Sequence, residues 1–170
     1  MRFYIGVIAV LLQTMVYGQS IFDVARSGDI SKLKELIAIN PDTVNTKNSS
    51  EHTPLILATY NGQKIMAERL IRDGADVNYT FSQGAAIHGA AFKGHLEIVK
   101  LLVRSGARLD QPDQNKTTPL IYATLFGHTD IARFLFQNGA DPLYADATGN
   151  TALTYAESLN NQELLTLYKP

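Results

Sequence analysis

The chain has 170 residues, 45% of them apolar and 18% charged, a globular composition at a length that allows one domain of ordinary size. Its formal net charge of -1 gives no electrostatic ground for binding nucleic acid or an anionic membrane surface. With no cysteine, it can build neither a disulfide framework nor a thiolate metal site.

The N-terminus reads as an address. Arg2 is followed by the apolar run FYIGVIAVLL at residues 3–12, and no charge returns until Asp23. Val16 and Gly18 place small residues where a signal peptidase inspects the chain, so residues 1–18 are predicted to be a signal peptide cut between Gly18 and Gln19. The alternative is an uncleaved N-terminal membrane anchor. Gln13, Thr14, Gln19 and Ser20 interrupt the segment, and the unbroken apolar run is only about half a membrane span. A cysteine-free exported chain suits a bacterial periplasm better than an animal secretory route, where small domains lean on disulfides. The expected location is therefore periplasmic or secreted, with no stable membrane insertion after cleavage.

From Ile21 onward the chain is predicted to be helical. Residues 21–39 (IFDVARSGDISKLKELIAI) form a helix pair turning at Ser27-Gly28-Asp29, with Leu33, Leu36 and Ile37 on one side of the second helix. Asn40-Pro41 ends it, since a residue preceding proline is pushed out of the α region. The next pair starts at Thr53-Pro54, where the threonine hydroxyl caps the helix and proline gives up an amide that would have no partner. Its second helix, residues 64–72, carries Arg69 where later units have Leu101 and Phe134, which the sequence does not explain. The central pair spans residues 84–108, with Ala85-Ala86 in place of Thr-Pro and a shortened preceding loop that holds Tyr79 and Phe81. Losing that capping hydroxyl costs about 1 kcal/mol. The fourth pair restores Thr118-Pro119, and the last, short one runs from Asp146 to Tyr168.

Two glycine series run in phase through these pairs. The turn glycines Gly62, Gly94 and Gly127 and the stop glycines Gly74, Gly106 and Gly139 both step by 32 and then 33 residues. The helix starts read TPLILA, AAIHGA, TPLIYA and TALTYA. With this period and these motifs, the chain resembles an ankyrin repeat protein from about Ile21 to the C-terminus. The resemblance implies an all-α repeat solenoid of stacked helix-turn-helix units with β-hairpin loops. About five units are expected after the signal, at approximately 20–47, 48–80, 81–112, 113–145 and 146–170, the first and last being divergent caps.

Catalysis would need a nucleophile with its base, a carboxylate pair in a cleft, or a metal cluster. The chain has four histidines. The resemblance assigns His88, at the motif histidine, and His95 and His128, after the turn glycines, to structural hydrogen bonding; His52 lies in a hairpin. No catalytic residue, metal site or cofactor is predicted. Asn48-Ser49-Ser50, Asn78-Tyr79-Thr80 and Asn115-Lys116-Thr117 match the glycosylation acceptor pattern, but these residue types are also what loops contain.

What remains is a surface. The resemblance implies that the hairpin tips and the exposed side of the first helices form a concave face that holds a partner protein. By position, that face comprises Tyr79, Phe81, Gln114 and Asn115 on the hairpins, and Tyr60, Asn61, Phe92, Lys93, Leu125 and Phe126 at the first-helix ends. Aromatic side chains on a polar face are the material of interface hot spots, although residues there can also serve as half-buried spacers. The expected protein is thus a monomeric, non-catalytic interaction module. Small exported bacterial ankyrin proteins similar to this one suggest an oxidative-defence enzyme as the partner. The alternative is an inhibitor or immunity protein facing a secreted toxin, which would call for acidic hairpin tips.

Overall fold

The computed structural model describes residues 20–169. The predicted signal peptide, residues 1–18, and its cleavage site lie outside those residues. Among the described residues ten α-helices follow one another: α1 (Ile21–Ser27), α2 (Ile30–Ile39), α3 (Pro54–Tyr60), α4 (Lys64–Arg72), α5 (Ala86–Lys93), α6 (Leu96–Arg104), α7 (Pro119–Leu125), α8 (Thr129–Gln137), α9 (Ala152–Ser158) and α10 (Gln162–Tyr168). Among the described residues no helix is long and apolar enough to cross a membrane. The odd-numbered helices pack side by side in one row, the even-numbered helices form a second row, and each even helix packs against the odd helix before it.

Helix starts follow the residues available. Thr53 and Thr118 accept the amides of Ile56 and Ile121 at 3.4 and 3.3 Å, each ahead of a proline. Ala85 has no hydroxyl to offer. Instead, Nδ1 of His88 accepts the Ala85 amide at 3.0 Å, as the Thr154 hydroxyl accepts the Thr151 amide at 2.8 Å. The missing cap is thus partly replaced from the first turn of the same helix. In the core, Ala58, Ala90 and Ala123 let the odd helices approach closely, while Leu33, Leu70, Leu102 and Leu135 are fully buried behind them.

Two polar ladders join successive units. At the turns, Nε2 of His95 meets the Tyr60 carbonyl at 3.3 Å, and Nε2 of His128 meets the Phe92 carbonyl at 3.0 Å. Gln63 fills the same role toward the Arg26 carbonyl, also at 3.0 Å. Gly94 shows why that turn needs glycine: its φ is +79°, and an added Cβ would lie 2.7 Å from the His128 ring. At the stops, the Asn78 side chain donates to the Gly106 carbonyl at 3.0 Å and accepts the Arg108 amide at 2.9 Å. Asn45 bridges Gly74 and Asp76 in the same way, and Asp110 accepts the Asp141 amide.

Two expectations need correction or completion. The loops between units are not β-hairpins with strand ladders: the described residues contain no strand and one isolated antiparallel bridge, Phe81 with Gly84. Side chains take the amides that a ladder would use. Oδ1 of Asp113 accepts the amides of Asn115 and Thr117, both at 2.8 Å, and Oδ1 of Asp146 accepts those of Thr148 and Asn150. Arg69, unexplained by the sequence, pairs with Asp73 one turn further along α4 and the Asp73 turn.

Candidate protein-binding groove

The loops and the odd-helix row face a groove of about 700 Å³, lined by residues from Arg26 on α1 to Tyr122 on α7. Of the residues assigned to a binding face, Tyr60, Asn61, Phe81, Phe92, Gln114 and Asn115 line it. Gly89 lines it too, at a position occupied by Leu57 in the unit before and Tyr122 in the unit after. A side chain is therefore missing at mid-groove, and a Cβ there would come 3.4 Å from the Tyr60 ring.

The aromatic row is continuous. The rings of Tyr60 and Phe92 stack with centroids 6.2 Å apart, and Phe92 meets Phe126 edge-on at 4.5 Å. Tyr122 joins from below, edge-on to Phe92 at 5.9 Å and stacked with Phe126 at 6.3 Å. Tyr60 is 41% and Phe126 47% exposed, while Phe92 between them is half-buried. The row is both packed and open, because each ring supports its neighbour and still shows a face to solvent.

The other assigned residues stand differently. Lys93 does not line the groove; its ammonium lies 4.9 Å from the centre of the Tyr60 ring, a cation resting on the edge of the row. Leu125 is 37% exposed beside the row, and Phe126 rather than Leu125 continues the ring contacts. Tyr79 faces the preceding loop: its hydroxyl donates to the Glu51 carbonyl at 3.0 Å, and Lys47 sits over its ring at 4.4 Å. It ties loops together and does not line the groove.

The electrostatics are set by burial. Asp113 is 7% exposed, and its second oxygen accepts the Tyr122 hydroxyl at 2.9 Å. Burial, reinforced by that bond, pushes Tyr122 up to about 12. Burial also pushes His88 down to about 4, against the opposing pull of Asp113, so its ring is neutral at pH 7. His52, edge-on to Phe81 at 4.6 Å, is held below the usual histidine range by burial and by the charge of Arg26. Among the described residues no group of three or more metal-ligating side chains converges.

The family model for ankyrin repeats in three copies matches residues 21–113 and again 87–167. The chain belongs to the ankyrin repeat family. Dog inversin is 37% identical over 101 residues, 59% of this chain and 9% of that protein. A Caenorhabditis elegans homologue of the transient receptor potential cation channel A1 is 32% identical over 94 residues, 55% of this chain and 8% of its own length. The rat ankyrin repeat and SAM domain-containing protein 6 is 34% identical over 93 residues, 51% of this chain and 10% of that protein. The chain thus spans about a tenth of the length of these relatives. Ankyrin repeats form protein interaction modules, and the groove is where this one offers aromatic surface.

Sequence reading missed Arg26, Gly89, Asp113 and Tyr122. For the last two a signal existed: Asp113 with Tyr122 recurs as Asp146 with Tyr155, whose hydroxyl donates to Asp146 at 2.8 Å.

Proposed function

We propose that this chain is an exported, non-catalytic ankyrin module that holds a partner protein in the groove between its loops and its odd-numbered helices. The observation that carries this reading is the aromatic row. Tyr60 and Phe126 stand 41% and 47% exposed on either side of Phe92, in ring-to-ring contact along three units. Solvent-exposed rings that are held rigid by each other lose little freedom on binding, which is the property that makes aromatic hot spots effective. In this reading the chain acts as a monomer of five units whose outer two serve as caps.

Export rests on the basic, then apolar, then small-residue order of residues 1–18. The partner is accordingly sought among periplasmic or secreted proteins, with an oxidative-defence enzyme as the class suggested by the family resemblance. An immunity role would need acidic tips facing a toxin. Asp113 and Asp146 are buried, and their carboxylates are engaged by loop amides and tyrosine hydroxyls, which favours the adaptor reading.

The test is a crosslinking pull-down from the protein's own cell envelope. Wild type is run beside a Tyr60→Ala, Phe92→Ala, Phe126→Ala variant and beside Gly89→Leu, which fills the groove against the Tyr60 ring while leaving every ring of the row in place. Both variants are first shown to fold by circular dichroism. One protein recovered with wild type and lost with both variants supports the reading. Equal recovery with all three proteins refutes it.

A further inference from the structure

The groove carries a charge and hydrogen-bonding pattern that its occupant must match, an inference that rests on the protein-binding reading above. Arg26 and His52 line its N-terminal end. Arg26 is 44% exposed and contacts Asp23 through one guanidinium nitrogen at 3.0 Å. A guanidinium has five N–H donors, so most remain for a second carboxylate. The acid that lines the groove, Asp113, does not compete for them: its oxygens are taken by two loop amides and the Tyr122 hydroxyl. Arg26 is therefore the charged lining residue with donors to spare, whereas Asp113 keeps its charge with its oxygens occupied.

Its loop side is lined by exposed carboxamides, those of Gln83, Gln114 and Asn115. The main-chain amides of Gln114 and Asn115 are already used, toward Ser82 at 3.1 Å and Asp113 at 2.8 Å, so the side chains are what these residues offer. A carboxamide supplies a donor and an acceptor together, which suits a peptide group whose own N–H and C=O lack partners. A helix satisfies those groups internally and an extended segment does not. Opposite them, Gly89 leaves a notch beside the Tyr60 ring.

We propose that the groove takes an extended, acidic segment of the partner protein. An aspartate or glutamate of that segment lies against Arg26 and His52, its backbone pairs with the carboxamides of Gln83, Gln114 and Asn115, and a neighbouring apolar side chain enters the notch at Gly89 between Tyr60 and Phe92. The pairing of charge with Arg26 fixes the register of the segment, and the notch selects the side chain beside it.

The test uses a random 12-residue peptide library displayed on phage, selected in parallel on the wild-type protein and on Arg26→Glu. Arg26 is a surface residue whose carbonyl, not its side chain, bonds to Gln63, so the variant keeps its fold, checked by circular dichroism. Peptides selected on wild type are expected to carry an Asp or Glu next to an apolar residue. Fluorescence anisotropy on a labelled selected peptide is expected to show about tenfold weaker binding when its acid is changed to the amide or when Arg26 is reversed. Gly89→Leu abolishes binding, and Ile65→Ser, on an exposed site of α4, leaves it unchanged. No enrichment, enrichment without acidic bias, or selections that are the same on wild type and Arg26→Glu overturn the inference. If those results come with a partner still captured from the envelope and lost in the aromatic variant, only the acidic-segment chemistry falls. If no partner is captured either, the protein-binding reading falls with it.

Discussion

Gly94→Ala isolates what holds one unit to the next. Gly94 has φ +79°, so an alanine there carries the left-handed penalty of about 1 to 2 kcal/mol. Its new Cβ would also lie 2.7 Å from the His128 ring, which must move and give up its 3.0 Å bond to the Phe92 carbonyl. That bond adds about 1 kcal/mol. Gly106 has φ +86° with nothing within 4 Å of an added Cβ, so Gly106→Ala carries the conformational cost alone. Urea unfolding followed by circular dichroism should therefore give Gly94→Ala a loss of about 2 to 3 kcal/mol and Gly106→Ala about 1 to 2. In a His128→Ala background the cost of Gly94→Ala should fall to that of Gly106→Ala. Equal costs for the two glycines in the wild-type background, or no change in the His128→Ala background, would refute the seat assigned to the histidine.

Other outcomes follow from single contacts. His88 is held at about 4 in the folded chain against 6.5 in the unfolded one, so the unfolded state takes up a proton first as pH falls. Stability present above pH 6.5 is lost between there and about pH 4, by on the order of 3 kcal/mol, and His88→Gln should flatten that part of the curve in urea midpoints measured at each pH. Asn78→Ala removes two bonds across a unit joint and should cost about 1 to 3 kcal/mol in the same assay. Gly89→Ala, inside α5, should raise stability by up to about 1 kcal/mol while narrowing the groove, so its melting temperature should rise as partner capture weakens.

The repeat was legible because its markers are backbone requirements: glycines at left-handed turns and Thr-Pro at helix starts recur whatever the surface does. The stop ladder was equally available, since Asn45, Asn78 and Asp110 recur in phase with the stop glycines, but Asn78 also fits a glycosylation pattern and reads as loop composition. In the fold its carboxamide is engaged on both sides. The groove was less legible. Arg26 sits in the divergent first unit, where no motif distinguishes a cap residue from a lining one. Gly89 looks like another small residue in an Ala-rich helix, and its meaning emerges only against Leu57 and Tyr122 in adjoining units. Tyr79 was placed by loop position alone, and position does not say toward which neighbour a ring turns.

The most direct measurement places a photo-crosslinking phenylalanine analogue at one position at a time in the protein expressed in its own cell. Position 92 lies in the aromatic row, and position 65, where the native isoleucine is 70% exposed, lies on the second row of helices. A discrete crosslinked partner from position 92 and none from position 65 is the expected result. A partner captured from position 65 and not from position 92 would contradict binding through the groove.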